Sequence, residues 1–220
     1  MFPAKNPSRF FLFAVLLIVI DQLSKQLVHR YMYQGTGGEV RLIGDWLKLH
    51  YITNEGMAFG MRLEHPLGKI FLTIFRLIAT GFLGYYIVHL AKHNAKSGLL
   101  WAMAMIFAGA IGNVLDSIFY GVLLDNAPIG SLSPWFHGQV IDMIFFDFWQ
   151  GYMPDWIPLW GGKYFSMPIF NFADSCIFIG VCTILVFQGT FFPRLDIEDT
   201  EEETTKLPND VATNEERSSE

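Results

Sequence analysis

Four long apolar runs govern what this chain can fold into. Residues 10–20, with helical spacing persisting to about 28, form the first; 70–90, 99–119 and 172–192 form the others. Each comes close to the roughly 20 residues that a helix needs to cross a bilayer's hydrocarbon. A backbone in hydrocarbon must satisfy its own N–H and C=O groups, so such runs are predicted to be helices. Composition agrees: 52% of residues are hydrophobic and only 16% charged, which favours a membrane protein over a soluble globule. Against this background four aspartates stand out. Asp21, Asp116 and Asp174 lie at the ends of apolar runs, and Asp142 lies in the apolar stretch 140–146. A carboxylate in hydrocarbon costs roughly 2.5–3.5 kcal/mol on insertion scales, so these residues point to function.

Lys5 and Arg9 before the first run give it the look of a signal peptide. The run continues into Asp21, Gln22 and Lys25 with no small-residue cleavage site, so it reads as an uncleaved first span. A short turn, 89–98, joins spans two and three. The longer segment 33–69 contains an imperfectly alternating core, 39–59, which predicts a small antiparallel sheet. Residues 120–170 hold Trp135, Trp149, Trp156 and Trp160 with Tyr152 and Tyr164, a composition suited to a membrane–water interface. The predicted fold is therefore an all-α membrane protein. It is a four-transmembrane-helix bundle with a small extracytoplasmic antiparallel β-sheet and an interfacial aromatic-rich loop. Residues 1–195 form its single domain.

Antiparallel spans put the N-terminus, the 89–98 turn and the C-terminal tail on one side. At 1.5 Å per residue, Asp116 lies ~30 Å from Lys96, Asp174 ~30 Å from Arg194 and Asp21 ~18 Å from Arg9. Those depths carry Asp116 and Asp174 to the far boundary and Asp21 somewhat below it, and Asp142 belongs to a loop on that far side. All four acids share one face, whichever way the chain is inserted. The basic N-terminus and the Lys92/Lys96 turn place both termini in the cytoplasm, although Arg30, Arg41, Lys48, Arg62 and Lys69 on the other side dilute the charge asymmetry.

The net charge of −6 is carried by the tail. Residues 196–220 hold ten acids against Lys206 and Arg217 and are predicted to be disordered. No basic patch suggests nucleic acid. Cys176 and Cys182, about 9 Å apart along a helix, cannot bridge. No zinc spacing or nucleophile–histidine pattern is present, and no cofactor or metal is expected. The six histidines are scattered and read as non-ligands, and Asp147 and Asp155 as solvated loop acids.

Two carboxylates held close cannot both ionise easily, so they share a proton. One can then act as general base toward water while the other polarises a carbonyl. Spacing alone does not say which of the four acids form such a pair. A small proton-coupled transporter would also use intramembrane carboxylates. It needs polar groups through both halves of the membrane, whereas residues 99–108 and 181–187 are nearly featureless.

Short motifs shift the weight toward the first reading. Asp21-Gln22-Leu23-Ser24-Lys25 is D-Q-x-x-K, and 54–59 is N-x-G-x-A-F. Residues 109–116 read G-A-I-G-N-V-L-D, 140–144 V-I-D-M-I, and 170–175 F-N-F-A-D-S. In this order, on this span pattern, residues 10–190 resemble lipoprotein signal peptidase (signal peptidase II). The resemblance implies an aspartic peptidase of the bacterial cytoplasmic (inner) membrane, with its site at the extracytoplasmic face. Such an enzyme cleaves diacylglyceryl-modified prolipoproteins on the N-terminal side of the lipidated cysteine. By motif, Asp142 and Asp174 carry over as the catalytic pair. Asn113, Asp116 and Asn171 carry over as site-lining residues, Asp21 and Lys25 as the first motif, and Asn54 and Gly56 as the loop near bound peptide and lipid. Membrane lipid and cyclic peptide inhibitors of the globomycin type are the other implied partners.

Two departures bear on the site. The family usually has Arg directly after the G-N-x-x-D aspartate, where this chain has Ser117, and about residues 145–166 form extra length. Arg76, the interruption in span two, is expected either to snorkel or to supply the missing charge beside Asp116 or Asp21. Lys25 reads as the i, i+4 cation of Asp21, a structural role.

Overall fold

Among the described residues, three helices are long and apolar enough to cross a bilayer: α1 (Ser8–Tyr31), α2 (Gly68–Lys92) and α3 (Ser97–Leu123). The structure is a computed structural model and describes residues 5–55, 67–159 and 161–192. Gly56 and the tail 196–220, both singled out by sequence, lie outside the described residues. Helix α4 (Phe172–Val186) is apolar but has only 15 residues. It stops short of the expected 192 because Phe187 leaves helical geometry (φ −101°, ψ 17°). The chain divides there: residues to Val186 form one compact unit, and a short helix α5 (Gln188–Phe191) lies in the next.

Within the first unit α3 packs against α1, α2 and α4. The arrangement inverts that of a soluble protein. Leu12, Leu16, Leu23 and Leu27 of α1 and Phe71, Phe75, Ile78 and Phe82 of α2 face outward. Asp21, Lys25, Thr73, Asp116, Ser117 and Asn171 are buried. Apolar surface this extensive suits lipid rather than water, and polar groups turned inward can satisfy one another. Close helix approach depends on α3 glycines. A side chain at Gly109 would strike the Ala173 carbonyl, and one at Gly112 would press on the Asp21 carboxylate.

The sheet differs from expectation. Strands β1 (Val40–Ile43) and β2 (Leu47–Asn54) pair antiparallel as predicted, but a third strand, β3 (Val140–Phe146), adds to β2 in the order β1-β2-β3. Asp142 thus sits on a strand rather than in a loop. Register pairs Ile52 with Asp142 and Asn54 with Val140. The run Val-Ile-Asp-Met-Ile-Phe-Phe is β-branched and aromatic, which suits a strand. The extra length carries a second hairpin, β4 (Gln150–Tyr152) and β5 (Tyr164–Ser166). Asp147 is not a free loop acid, since its carboxylate pairs with Lys48 at 2.5 Å; Asp155 is exposed. At the opposite end Lys5 donates its backbone N–H to the Ala91 carbonyl (3.1 Å) and its ammonium to that of Ala95. The N-terminal segment therefore meets the α2–α3 turn, as antiparallel spans require.

Candidate active site

Backbone pairing brings the two loop-side motifs together. Ile144 N–H donates to Phe170 O (2.7 Å), and Phe170 N–H donates back to Ile144 O (3.0 Å). This bridge places Asn171 against Asp142. The Asn171 amide donates to Asp142 Oδ1 (2.7 Å), and Asn54, from the end of β2, donates to Asp142 Oδ2 (3.1 Å).

Asn171 also starts α4. Its Oδ1 accepts the Asp174 N–H (2.9 Å), while Asp174 Oδ2 accepts the Asn171 N–H (3.2 Å). The exchange is a capping box with Asp in the place of the usual Glu or Gln. It answers a general need, because the first N–H groups of a helix have no intrahelical acceptor. Asp21 satisfies the next one, accepting the Ala173 N–H on Oδ1 (2.9 Å). The same bonds that begin α4 therefore fix Asp174 and tie it to Asp142 through one amide. Asn113 completes the group, donating to Asp174 Oδ1 (2.8 Å) and accepting from Asn171 Nδ2 (3.1 Å).

A second cluster supports the first. Lys25 is fully buried, and its ammonium meets Asp21 Oδ2 (2.8 Å), Asp116 Oδ2 (2.7 Å) and Asn113 Oδ1 (3.0 Å). An ammonium has three protons, and each finds an acceptor here. Gln22 bridges the same acids, donating to Asp116 Oδ1 (2.8 Å) and accepting from the Tyr120 hydroxyl (3.0 Å). Asp116 therefore has its cation in Lys25. Ser117 is buried and donates to the Asn113 carbonyl (3.0 Å). Lys25 thus supplies the charge that Arg76 was expected to supply beside these acids, and Arg76 lines a cavity with Asp174.

That cavity, ≈ 300 Å³, lies between α2, α3 and α4. Arg76, Thr80, Asn113 and Asp174 give its polar part, and Phe75, Leu83, Ala110 and Ile177 most of its apolar part. Asp142 is almost wholly buried, and its carboxyl is pushed up to about 7. Burial is the largest cause and the Asp174 charge the next, with Asn54, Asn171 and Lys25 pulling the other way. A carboxyl that holds its proton near neutrality beside a second carboxylate is what acid–base hydrolysis of an amide requires.

A family model described as signal peptidase (SPase) II matches residues 13–190. The chain belongs to the signal peptidase II family. A lipoprotein signal peptidase of Amoebophilus asiaticus is 47% identical over 184 residues, covering 83% of this chain and 78% of that protein. One of Porphyromonas gingivalis is 41% identical, covering 78% and 79% respectively. A solved structure described as a bacterial membrane enzyme, from the in meso method at 2.3 Å, matches with TM-score 0.59 at 26% identity, covering 89% of this chain and 97% of that one. The protein is a peptidase, and these relatives lend no support to the transporter alternative.

Of the residues named from sequence, Asp21, Lys25, Asn54, Asn113, Asp116, Asp142, Asn171 and Asp174 fall into one hydrogen-bonded network. Sequence reasoning gave no role to Gln22, Tyr120 or the capping role of Asn171. Gln22 stood in the D-Q-x-x-K motif, and the capping role had the Asn-x-x-Asp spacing ahead of an apolar run as its signal.

Proposed function

We propose that the protein is an aspartic endopeptidase that removes signal peptides from diacylglyceryl-modified prolipoproteins. It cleaves on the N-terminal side of the lipidated cysteine, with Asp142 and Asp174 as the catalytic pair. The observation that carries this reading is that Asn171 holds both carboxyls, Asp142 on its side-chain amide and Asp174 on its backbone N–H, with Asp174 in the wall of a cavity. The pair holds one proton. The ionised member takes a proton from water, and the protonated member donates to the scissile carbonyl oxygen. Asn54, Asn113 and Asn171 orient the two carboxyls, and Asp21, Lys25 and Asp116 brace the helices that bear them.

The cavity's mixed lining fits a substrate with a polar scissile segment joined to apolar chains. Three of its apolar members, Leu83, Ala110 and Ile177, lie deeper along their helices than Arg76, Asn113 and Asp174, with Thr80 between Arg76 and Leu83 on α2. Four crossings of the bacterial inner membrane, both termini in the cytoplasm and the sheet and site at the extracytoplasmic face complete the proposal. Lys5, Arg9, Lys92 and Lys96 at one end of the helices support that orientation. Cyclic peptides of the globomycin type would then compete for the same cavity. The test is to incubate the purified protein with a diacylglyceryl-modified prolipoprotein and with its unmodified precursor. The expected result is a size shift in the modified substrate alone, with the product beginning at the lipidated cysteine. No cleavage, or cleavage elsewhere, would overturn the proposal.

A further inference from the structure

Asn54 is the last residue of β2, and the ladder to β3 ends with its pairing to Val140. Element ends fray, so a side chain at such a position keeps its direction only if the backbone beyond it is fixed. Here α2 fixes it. Lys69, in the first turn of that helix, is buried, and its ammonium donates to the carbonyl of Glu55 (2.5 Å), the residue directly after Asn54. Local preference does not explain a lysine there. Taking an ammonium out of water is costly, and a cation in a helix's first turn opposes the helix dipole.

One turn along, the Thr73 hydroxyl donates between the Lys69 carbonyl (2.9 Å) and the Phe136 carbonyl (3.1 Å). Phe136 and Gly138 lead into β3, and they are pinned to α3 as well. Phe136 N–H donates to Ile118 O (3.2 Å) and Gly138 N–H to Ser117 O (3.0 Å). A side chain at Gly138 would strike the Asp116 carbonyl, so this turn has little room to shift. The approach to Asp142 is therefore held by α2 and α3 together, and the end of β2 that carries Asn54 is fastened to the same turn of α2 through Lys69.

We propose that Lys69 is a positioning residue for the peptidase dyad: by fixing the Glu55 carbonyl it holds the Asn54 amide on Asp142 Oδ2 (3.1 Å). This rests on the dyad reading above, and it makes Lys69 act through Asn54 rather than on the substrate. Without the Lys69 bond, Asn54 keeps its strand pairing but its side chain loses a fixed direction. Asp142 is then oriented by Asn171 with less help from the other side.

The experiment measures kcat and KM on a diacylglyceryl-modified prolipoprotein for Lys69→Met, Asn54→Ala and the double variant, with thermal unfolding of each in detergent. Misplacing an orienting group costs up to about a hundredfold, so each single variant should lower kcat by about ten- to a hundredfold, with KM within about threefold of wild type. Because Lys69 acts through Asn54, the double variant should fall no more than about twofold below the slower single variant. Losses that multiply in the double variant, a Lys69→Met effect on KM alone, or a normal kcat in either single variant would overturn the proposal. Should Lys69→Met fail to fold, Lys69→Gln, whose amide ends one bond short of the carbonyl, takes its place in the cycle with the same expected and contradicting results. Activity retained by Asp142→Asn or Asp174→Asn would instead defeat the dyad reading itself.

Discussion

Asp142→Asn should make the folded protein more stable near neutral pH while ending its activity. The Asp142 carboxyl moves from 3.8 to about 7 on folding, mainly because it is buried. Between those values the folded protein holds a proton that the unfolded chain has released, so stability falls as pH rises through the window. Roughly three units correspond to about 4 kcal/mol of stability forgone above pH 7. Asparagine removes that cost, but its amide must present N–H to Asn54 or Asn171, both of which already donate (3.1 and 2.7 Å). One mismatched buried donor costs about 1–3 kcal/mol, leaving a net gain of about 1–3. For a chain of this size that is an increase in Tm of roughly 2–12 °C. Near pH 5 only about one unit of the window has been crossed, about 1.6 kcal/mol, which the mismatched donor offsets, so the gain should fall to about zero. Thermal unfolding in detergent, followed by tryptophan fluorescence at about pH 5 and about pH 7.5, tests this. A variant less stable than wild type at both pH values would refute the reasoning.

Lys25→Met should leave two buried carboxylates without their cation, costing about 3–5 kcal/mol. An unchanged unfolding midpoint would contradict the pairing of Lys25 with Asp21 and Asp116. Wild-type peptidase activity should decline as pH rises through about 7, because Asp142 must be protonated to donate. A rate still climbing above pH 8 in a lipidated-substrate assay would count against that role. Deleting residues 196–220, an acidic segment almost without aromatics, should leave turnover within about twofold of wild type if the tail lies outside the peptidase domain. Loss of most activity in a correctly inserted truncation would show otherwise.

The helical part of this architecture was legible because helix rise is fixed. Counting residues from the flanking basic groups was enough to put Asp116 and Asp174 at the far boundary and Asp21 somewhat below it, all toward one face. Strand pairing has no such local ruler. The union of β2 with β3 joins segments nearly ninety positions apart, and only that union puts Asn54 on Asp142. Ion-pair choice was equally hidden. Lys25 was seen as the partner of Asp21 one turn away, but its bond to Asp116 exists only because α1 and α3 touch across Gly112. The cation of Asp116 was sought in Arg76 for the same reason, since depth constrains distance along the membrane normal and says nothing about which neighbour a helix face meets. The end of α4 at Val186 was missed because three phenylalanines, Phe187, Phe191 and Phe192, carry the apolar run across Gln188-Gly189-Thr190, and composition does not record a change in backbone geometry.

The central claim, that Asp142 and Asp174 act together as one peptidase dyad, is tested most directly by single turnover of a diacylglyceryl-modified prolipoprotein. The substrate is mixed with excess wild-type, Asp142→Asn or Asp174→Asn protein, each first shown to be folded and membrane-inserted. Both variants are expected to lose at least about a thousandfold in rate, with substrate binding retained, because each carboxyl supplies a different half of the same proton transfer. Near-normal turnover by either variant would contradict the account.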